Sequence, residues 1–160
     1  KDVDVAAVAD RVADALREEG FGVEMSRRLD GFAELMVTVA GPRRSTFGVD
    51  LGRDYMEWPG TTTSLGPTLS PRELAASKVL ALFGRVQPRD LADVAALVEH
   101  FPLEDMLADA KVKDPGFSRP ILAEMIRRVI ARPATQWPEG VDVEAVRRFG
   151  AELADSLEKG

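Results

Sequence analysis

The stretch of residues 69–93, LSPRELAASKVLALFGRVQPRDLAD, predicts two consecutive helices joined by a short turn. Ser70, Pro71 and Glu73 occupy the N-cap, N1 and N3 positions of the first helix, a pattern that marks a helix start. Pro88 begins the second helix, because proline fits a first helical turn, where its missing N–H is not needed. A helical region therefore starts near residue 70.

Lys78 interrupts the apolar sequence of the first predicted helix. Only Ser77 and Lys78 are polar between Leu74 and Phe83, so we expect this helix to be largely buried. A buried ammonium group needs a partner, because an unpaired buried charge is costly. Two partners fit the sequence equally well: an internal carboxylate, or an anion bound in a functional site.

Four charged residues surround the start of the second helix: Arg85, Arg89, Asp90 and Asp93. Asp90 lies in the first turn, where the helix dipole favours a negative charge. Arg89 and Asp93 have the i,i+4 spacing of a helical ion pair, so we expect them to pair. A structural clamp explains this group without any chemistry.

Downstream of this stretch the sequence predicts helices only. The further helices are expected at about residues 103–111, 118–131 and 142–158. We therefore assign residues 70–160 to a helical C-terminal region, organised as a bundle.

Upstream, residues 1–60 mix strands with a helix. Apolar and polar residues alternate over three segments, as in antiparallel strands with one buried face. These segments are residues 21–26, 33–39 and 47–51. An amphipathic helix is expected over about residues 8–16, and residues 58–69, rich in Gly, Thr, Ser and Pro, are expected to form a connecting loop. The chain is therefore predicted to be α+β, with an antiparallel meander followed by helices.

Residues 1–5, KDVDV, alternate as a short strand that would carry Asp2 and Asp4 on one face. Two adjacent carboxylates repel each other unless a cation lies between them, and Mg²⁺ takes such oxygen ligands. Asp50, on the third strand of the meander, would complete a two-metal site. The alternatives are that Asp4 only caps the following helix and that Asp50 only faces solvent.

The composition of the chain excludes or disfavours several classes of function. The chain has 160 residues, a net charge of −6 and no Cys. Disulfides and thiolate metal sites are therefore excluded, and nonspecific coating of nucleic acid is disfavoured. The single histidine, His100, argues against Ser–His or Cys–His catalysis. No apolar run reaches the roughly 18 residues that span a bilayer, and the lack of Cys fits a reducing cytoplasm.

Together these features resemble the AbiEii/AbiGii-type nucleotidyltransferase toxin family over about residues 1–100. That family shows a helix with a single Lys, then an Arg-rich turn, then an R-D-x-x-D helix start. It also shows a D-x-D strand and a third acidic position on a later strand. The matching segments are residues 69–82, Arg85 and residues 89–93 for the first three features, residues 1–5 for the D-x-D strand, and residues 49–51 for the third acidic position.

The resemblance implies a fold and a set of site residues. The fold would be a nucleotidyltransferase-like mixed or antiparallel sheet with helices, followed by the helical bundle. The implied ligands of two Mg²⁺ ions are Asp2, Asp4 and Asp50, of which Asp50 would bridge the ions or act as a base. The implied nucleotide-binding residues are Lys78, which would contact the triphosphate, and Arg85, Arg89 and Asp93.

The resemblance also implies a reaction, in which NMP is transferred from an NTP to a hydroxyl with release of pyrophosphate. For toxins of this family the expected acceptor is RNA, notably the 3′ end of tRNA, and an antitoxin protein is a further candidate partner. Two other functions stay open. The chain could be a non-catalytic binding module, or a small-molecule nucleotidyltransferase similar to aminoglycoside-modifying enzymes, which the net acidity slightly favours.

One departure from the family concerns the N-terminus. The family has a Gly-Gly or Gly-Ser element before D-x-D that helps to hold the nucleotide phosphates. Here D-x-D follows Lys1 directly. We therefore expect the chain to be an N-terminally truncated piece of a longer protein. A piece without this element is expected to bind nucleotide poorly and can be inactive.

Overall fold

The computed structural model describes residues 3–41 and 45–159, and the chain divides into two compact units, Lys1–Tyr55 and Met56–Gly160. In the described residues the first unit combines a helix with a three-stranded sheet, and the second combines a short hairpin with helices. The predicted α+β class is therefore confirmed. Asp2, one of the predicted metal ligands, lies outside the described residues.

The first unit is an antiparallel meander with a helix on one face. Its elements are α1 (Val5–Glu18), β1 (Gly22–Leu29), β2 (Phe32–Val39) and β3 (Ser45–Gly52), and the strand order is β1-β2-β3. Alternate residues of β2, Ala33, Leu35 and Val37, are fully buried, and Ala9 and Ala13 of α1 are buried in the same apolar clusters. The remaining β2 side chains therefore lie on the opposite, open face of the sheet.

Strand register decides which acidic residues share this open face. Leu35 of β2 pairs with Val49 of β3, and the next pair along the two strands is Glu34 with Asp50. Leu35 and Val49 face α1, and successive side chains alternate between the faces of a sheet. Glu34 and Asp50 are therefore cross-strand neighbours on the face away from α1.

A two-bond ion pair links α1 to β1. Arg28 donates from Nη1 and Nη2 to the two carboxylate oxygens of Asp10, at 2.7 and 2.9 Å. These hydrogen bonds hold the pKa of the Asp10 carboxyl below its ordinary value. Both side chains are about half exposed, so the pair orients the helix on the sheet more than it stabilises the unit.

The strand predicted over residues 1–5 is wrong in its described part. Val5 already begins α1, and Asp4 is the N-cap, whose Oδ1 accepts a hydrogen bond from the Ala7 N–H at 3.2 Å. Val5 and Ala9 are both buried, so the apolar stripe of the helix extends back to its first residue. An Asp cap and a buried first turn together outweigh an alternation only a few residues long.

The second unit begins with a hairpin and continues as helices. Its strands are β4 (Thr61–Thr63) and β5 (Gly66–Thr68), and its helices are α2 (Pro71–Arg85), α3 (Pro88–Leu97), α4 (Leu103–Lys113), α5 (Arg119–Ile130) and α6 (Val143–Lys159), with a 3₁₀ turn at Ala134–Gln136. Every helix predicted after residue 70 is present. The hairpin corrects the prediction of a loop over residues 58–69, because three-residue strands are too short to show an alternating pattern.

One apolar core holds the helices of this unit together. Each helix contributes buried side chains, among them Leu82 of α2, Leu91 of α3, Leu107 of α4, Ile126 of α5 and Leu153 of α6. The core is therefore continuous across the bundle and fixes α2 and α3 against the other helices.

Gly150 marks the tightest packing in this core. A Cβ at this position of α6 would lie 2.9 Å from Ile130 Cγ2 on α5 and 2.9 Å from Leu91 Cδ2 on α3. A larger residue here would force side chains of the neighbouring helices to shift.

Candidate functional site

Two ion pairs join α2 to α3. Lys78 Nζ lies 2.6 Å from Asp93 Oδ2, and Arg85 Nη2 lies 2.7 Å from Asp90 Oδ1. Lys78 and Arg85 are two helical turns apart on α2, and Asp90 and Asp93 are one turn apart on α3, so each pair of like residues shares one face of its helix. We call these four residues the α2–α3 charge cluster.

Lys78 is more exposed than the sequence predicts. Its side chain is 33% exposed and that of Asp93 is 41% exposed, whereas a largely buried helix was expected. Leu74, one turn earlier on the same face of α2, is also exposed. Within the second unit this face of α2 is therefore not covered, and the lysine stem can lie along the helix while its ammonium reaches solvent.

The ion pair expected between Arg89 and Asp93 is not formed. Asp93 bonds to Lys78 instead, and Arg89 is exposed without an ion-pair partner among the described residues. The Lys78 ammonium reaches Asp93 across the helix pair at hydrogen-bond distance, and Arg89 remains exposed to solvent. Arg89 still lies one helical turn from Asp93, so two cations flank this carboxylate.

The Arg85–Asp90 pair combines a buried acid with an exposed base. The Asp90 side chain is 1% exposed and that of Arg85 is 53% exposed. The second carboxylate oxygen of Asp90, Oδ2, is buried and has no hydrogen-bond partner among the described residues. This asymmetry distinguishes the pair from Lys78–Asp93, in which both side chains reach solvent.

The turn between α2 and α3 is backbone-strained. Val86 has φ 54° and ψ 45°, and it is the single non-glycine residue with positive φ in the described part of the chain. A β-branched residue rarely adopts this left-handed conformation, which costs of order 1–3 kcal/mol. Gln87 Nε2 also donates to the carbonyl oxygen of Arg85 at 3.4 Å. The turn therefore fixes where α3 begins relative to Arg85, the last residue of α2.

Asp4 and Asp50, the predicted metal ligands within the described residues, occupy two different places. Asp50 is exposed on the open face of the sheet, beside Glu34, and its carboxylate has no hydrogen bond or ion pair to any described residue. Asp4 caps α1, which packs on the other face of the sheet. Of these two residues Asp50 presents the free carboxylate, while Asp4 already uses one oxygen as a helix cap.

Carboxylate oxygens are the donor type that Mg²⁺ prefers, so the chemistry of these residues fits the ion. Among residues 3–41 and 45–159, however, no group of three or more His, Cys, Asp or Glu side chains is arranged to hold a metal. Since Asp2 lies outside the described residues, the predicted convergence of Asp2, Asp4 and Asp50 stays a prediction.

Two further acidic residues escaped the sequence analysis. Glu73, considered only as part of a helix cap, is fully buried and forms an ion pair with Lys113 of α4. Its Oε2 also accepts the backbone N–H groups of Glu57 and Trp58, each at 3.1 Å. No short-range pattern links Glu73 to Lys113. Glu34 was missed because strand register, which places it beside Asp50, cannot be read from local sequence.

Comparison with known proteins gives two matches. The family model described as nucleotidyl transferase AbiEii toxin, type IV toxin–antitoxin system, matches residues 3–157. A crystal structure described as a "putative nucleotidyltransferase from H. pylori" superposes with a TM-score of 0.55 at 19% sequence identity, over 86% of this chain. The chain covers 65% of that protein's length, and the likeness concerns the fold.

No curated protein matches the chain. No helix in the described part of the chain is both long enough and apolar enough to cross a membrane.

Proposed function

The chain belongs to the AbiEii family of nucleotidyl transferase toxins from type IV toxin–antitoxin systems, and on this premise we propose that it transfers NMP from an NTP to an acceptor hydroxyl. The observation that carries the proposal is the α2–α3 charge cluster with the neighbouring Arg89. It presents three cations, Lys78, Arg85 and Arg89, on two adjacent helices at the positions where the family resemblance implies nucleotide contacts.

These cations suit a triphosphate for a physical reason. The Lys78 ammonium is hydrogen-bonded to a carboxylate that is itself partly exposed, so an incoming phosphate can replace Asp93 without burying a charge. Arg89 lies one turn away with its guanidinium free among the described residues. Together they can neutralise the charge that builds up on the leaving pyrophosphate, which is the main demand of phosphoryl-group transfer.

We assign metal binding to the carboxylates of Asp2, Asp4 and Asp50. A bound Mg²⁺ would supply charge neutralisation at the phosphates and at the attacking oxygen. Asp50 has the further role of proton acceptor, because its carboxylate is exposed and unpaired among the described residues.

The proposed step is an in-line displacement at the α-phosphate. The acceptor hydroxyl oxygen bonds to the α-phosphorus, its proton passes to a carboxylate, and the bond from the α-phosphorus to the bridging oxygen breaks. Pyrophosphate leaves with that electron pair. The protein contributes positioning and charge, since the reaction needs no covalent intermediate.

We propose RNA as the acceptor, notably the 3′ end of tRNA in the cytoplasm, with an antitoxin as the protein that counters the activity. A small-molecule acceptor is the second candidate, and the net charge of −6 favours it because a strongly acidic protein attracts polyanions poorly.

The test is transfer of label by the full-length protein. Each of the four NTPs, labelled at the α-phosphate, is incubated with Mg²⁺ and with total RNA, a panel of aminoglycosides, or the protein alone. The proposal predicts label in tRNA-sized RNA and none from γ-labelled NTP, because only NMP is transferred. Label in an aminoglycoside would support the second candidate. Absence of label from every acceptor would overturn the enzymatic function and leave a binding module.

A further inference from the structure

We propose that Asp90 is a positioning residue for Arg85, and that it holds the guanidinium so that its free N–H groups bind the β- and γ-phosphates of the nucleotide, which NMP lacks. The proposal rests on the proposed function, since it concerns how that nucleotide is held. It adds Asp90, to which the resemblance gives no role. It also gives the two ion pairs of the α2–α3 charge cluster different roles: phosphate replaces Asp93 at Lys78, whereas Asp90 stays bonded to Arg85.

The geometry fixes one end of the guanidinium and leaves the rest available. Arg85 donates from Nη2 to Asp90 Oδ1 at 2.7 Å, and no second bond joins its guanidinium to a described residue. A guanidinium carries five N–H donors in a rigid plane. With one donor anchored and 53% of the side chain exposed, the others are directed to solvent in a set orientation.

Stability alone does not explain this arrangement. A buried carboxylate that served only the fold would normally satisfy both oxygens, yet Asp90 Oδ2 is buried without a partner among the described residues. Apolar replacements for a buried ion pair are often as stable or more stable. The Asp90 carboxylate, with one oxygen bonded to an exposed Arg85, is therefore better explained by a function of Arg85 in binding nucleotide.

The turn after Arg85 supports the same interpretation. Val86 holds a left-handed backbone conformation that strains a β-branched residue. Such strain persists where the surrounding structure enforces it, and it is concentrated at functional sites. Here it fixes the path of the chain from Arg85, the last residue of α2, to α3, which carries Asp90.

The Arg72–Asp109 pair of the same unit shows what a structural arginine looks like. Arg72 uses Nε and Nη2 to bond both oxygens of Asp109, at 2.7 and 2.6 Å, and its guanidinium lies 4.2 Å from the centre of the Trp58 ring. Two of its donors and one face are occupied. Asp109 is therefore a matched control for Asp90: each is a poorly exposed aspartate paired with an exposed arginine.

The experiment measures binding of Mg–NTP and of the corresponding Mg–NMP to the full-length protein. The variants are Asp90→Asn, Arg85→Gln, the double variant, and the control Asp109→Asn. We expect Asp90→Asn to raise the Kd for NTP by about tenfold, the effect of one charge-assisted hydrogen bond. The Kd for NMP should not change. The double variant should bind no more weakly than Arg85→Gln, because Asp90 acts through Arg85. Asp109→Asn should bind like the parent.

Three results would overturn the proposal. Parent-like NTP binding by Asp90→Asn would show that Arg85 needs no positioning. Equal weakening of NTP and NMP binding would show a structural role only. Failure of the parent to bind any NTP would defeat the proposed function as well. If Asp90→Asn does not fold, Asp90→Glu serves instead, because it keeps the negative charge and moves it by one methylene. A positioning role predicts that Asp90→Glu binds NTP more weakly than the parent. NTP binding equal to that of the parent would show that only the charge of Asp90 matters.

Discussion

At the residue scale, two lysines of the second unit have ion pairs that differ in burial. Lys113 is 8% exposed and pairs with a Glu73 side chain that is 1% exposed, whereas Lys78 is 33% exposed and pairs with the 41%-exposed Asp93. Burial decides the cost of losing a charge, because solvent can replace a partner only where it has access. The two lysines should therefore respond differently to the same substitution.

Lys78→Met should change the free energy of unfolding by no more than about 1 kcal/mol, as for an exposed pair. Lys113→Met should cost about 3–5 kcal/mol, because it leaves Glu73 charged and buried. Urea unfolding of both variants measures the difference. If Lys78 binds the triphosphate, Lys78→Met also loses nucleotide transfer in the full-length protein. A loss of stability at Lys78 as large as at Lys113 would make Lys78 part of the scaffold.

The sequence predicts these lysines unequally. Lys78 attracts attention because it interrupts an apolar helix, but its exposure depends on which elements cover α2, and that is a tertiary property. Lys113 gives no local signal, since its partner Glu73 lies on a different helix, α2. Residue type and spacing therefore identify a candidate cation, but they do not predict its burial or its ion-pair partner.

At the element scale, two glycines inside helices test how tightly the bundle packs. Gly150 of α6 lies where a Cβ would meet Ile130 and Leu91 atoms at 2.9 Å, whereas a Cβ at Gly84 of α2 would meet no heavy atom within 4 Å. Alanine is favoured over glycine within a helix by about 0.8–1.0 kcal/mol. Gly84→Ala should therefore stabilise the protein.

Gly150→Ala should instead destabilise it, because overpacking a dense core costs about 1–3 kcal/mol and outweighs the gain in helix propensity. Thermal unfolding of the two variants should shift in opposite directions. A rise in melting temperature for Gly150→Ala would contradict this prediction, because it would show that the neighbouring helices make room for the added methyl group without loss.

The helices and strands were predictable to the extent that their signals are local. Ser70 with Pro71 marks the start of α2, and the alternation of Ala33, Leu35 and Val37 marks β2. The short hairpin at residues 61–68 gave no such signal. The strand expected at residues 1–5 is replaced by the N-cap and first turn of α1, because the Asp4 side chain accepts a hydrogen bond from a helix N–H.

At the scale of the whole molecule, the central claim is that the chain supplies carboxylates and cations for nucleotide transfer. Its class could be predicted from the order of segments, a meander followed by helices. The pairing of Glu34 with Asp50 and of Lys78 with Asp93 could not, because both depend on long-range register and packing.

Asp50 is the position at which this claim can be tested with least ambiguity. Asp4→Ala would remove a helix cap as well as a ligand, and the cap alone is worth about 0.5–2 kcal/mol. Asp50 is exposed and unpaired among the described residues, so its loss should not affect folding. Asp54, also exposed and just beyond β3, is the matched control.

The deciding measurement is the rate of α-labelled NMP transfer by the full-length protein carrying Asp50→Ala or Asp54→Ala, with circular dichroism to verify folding. We predict that Asp50→Ala lowers the rate by at least about 100-fold, as for loss of one group that stabilises transition-state charge, and that Asp54→Ala transfers like the parent. Undiminished transfer by a folded Asp50→Ala variant, or its loss in Asp54→Ala alone, would contradict the assignment of the active carboxylates.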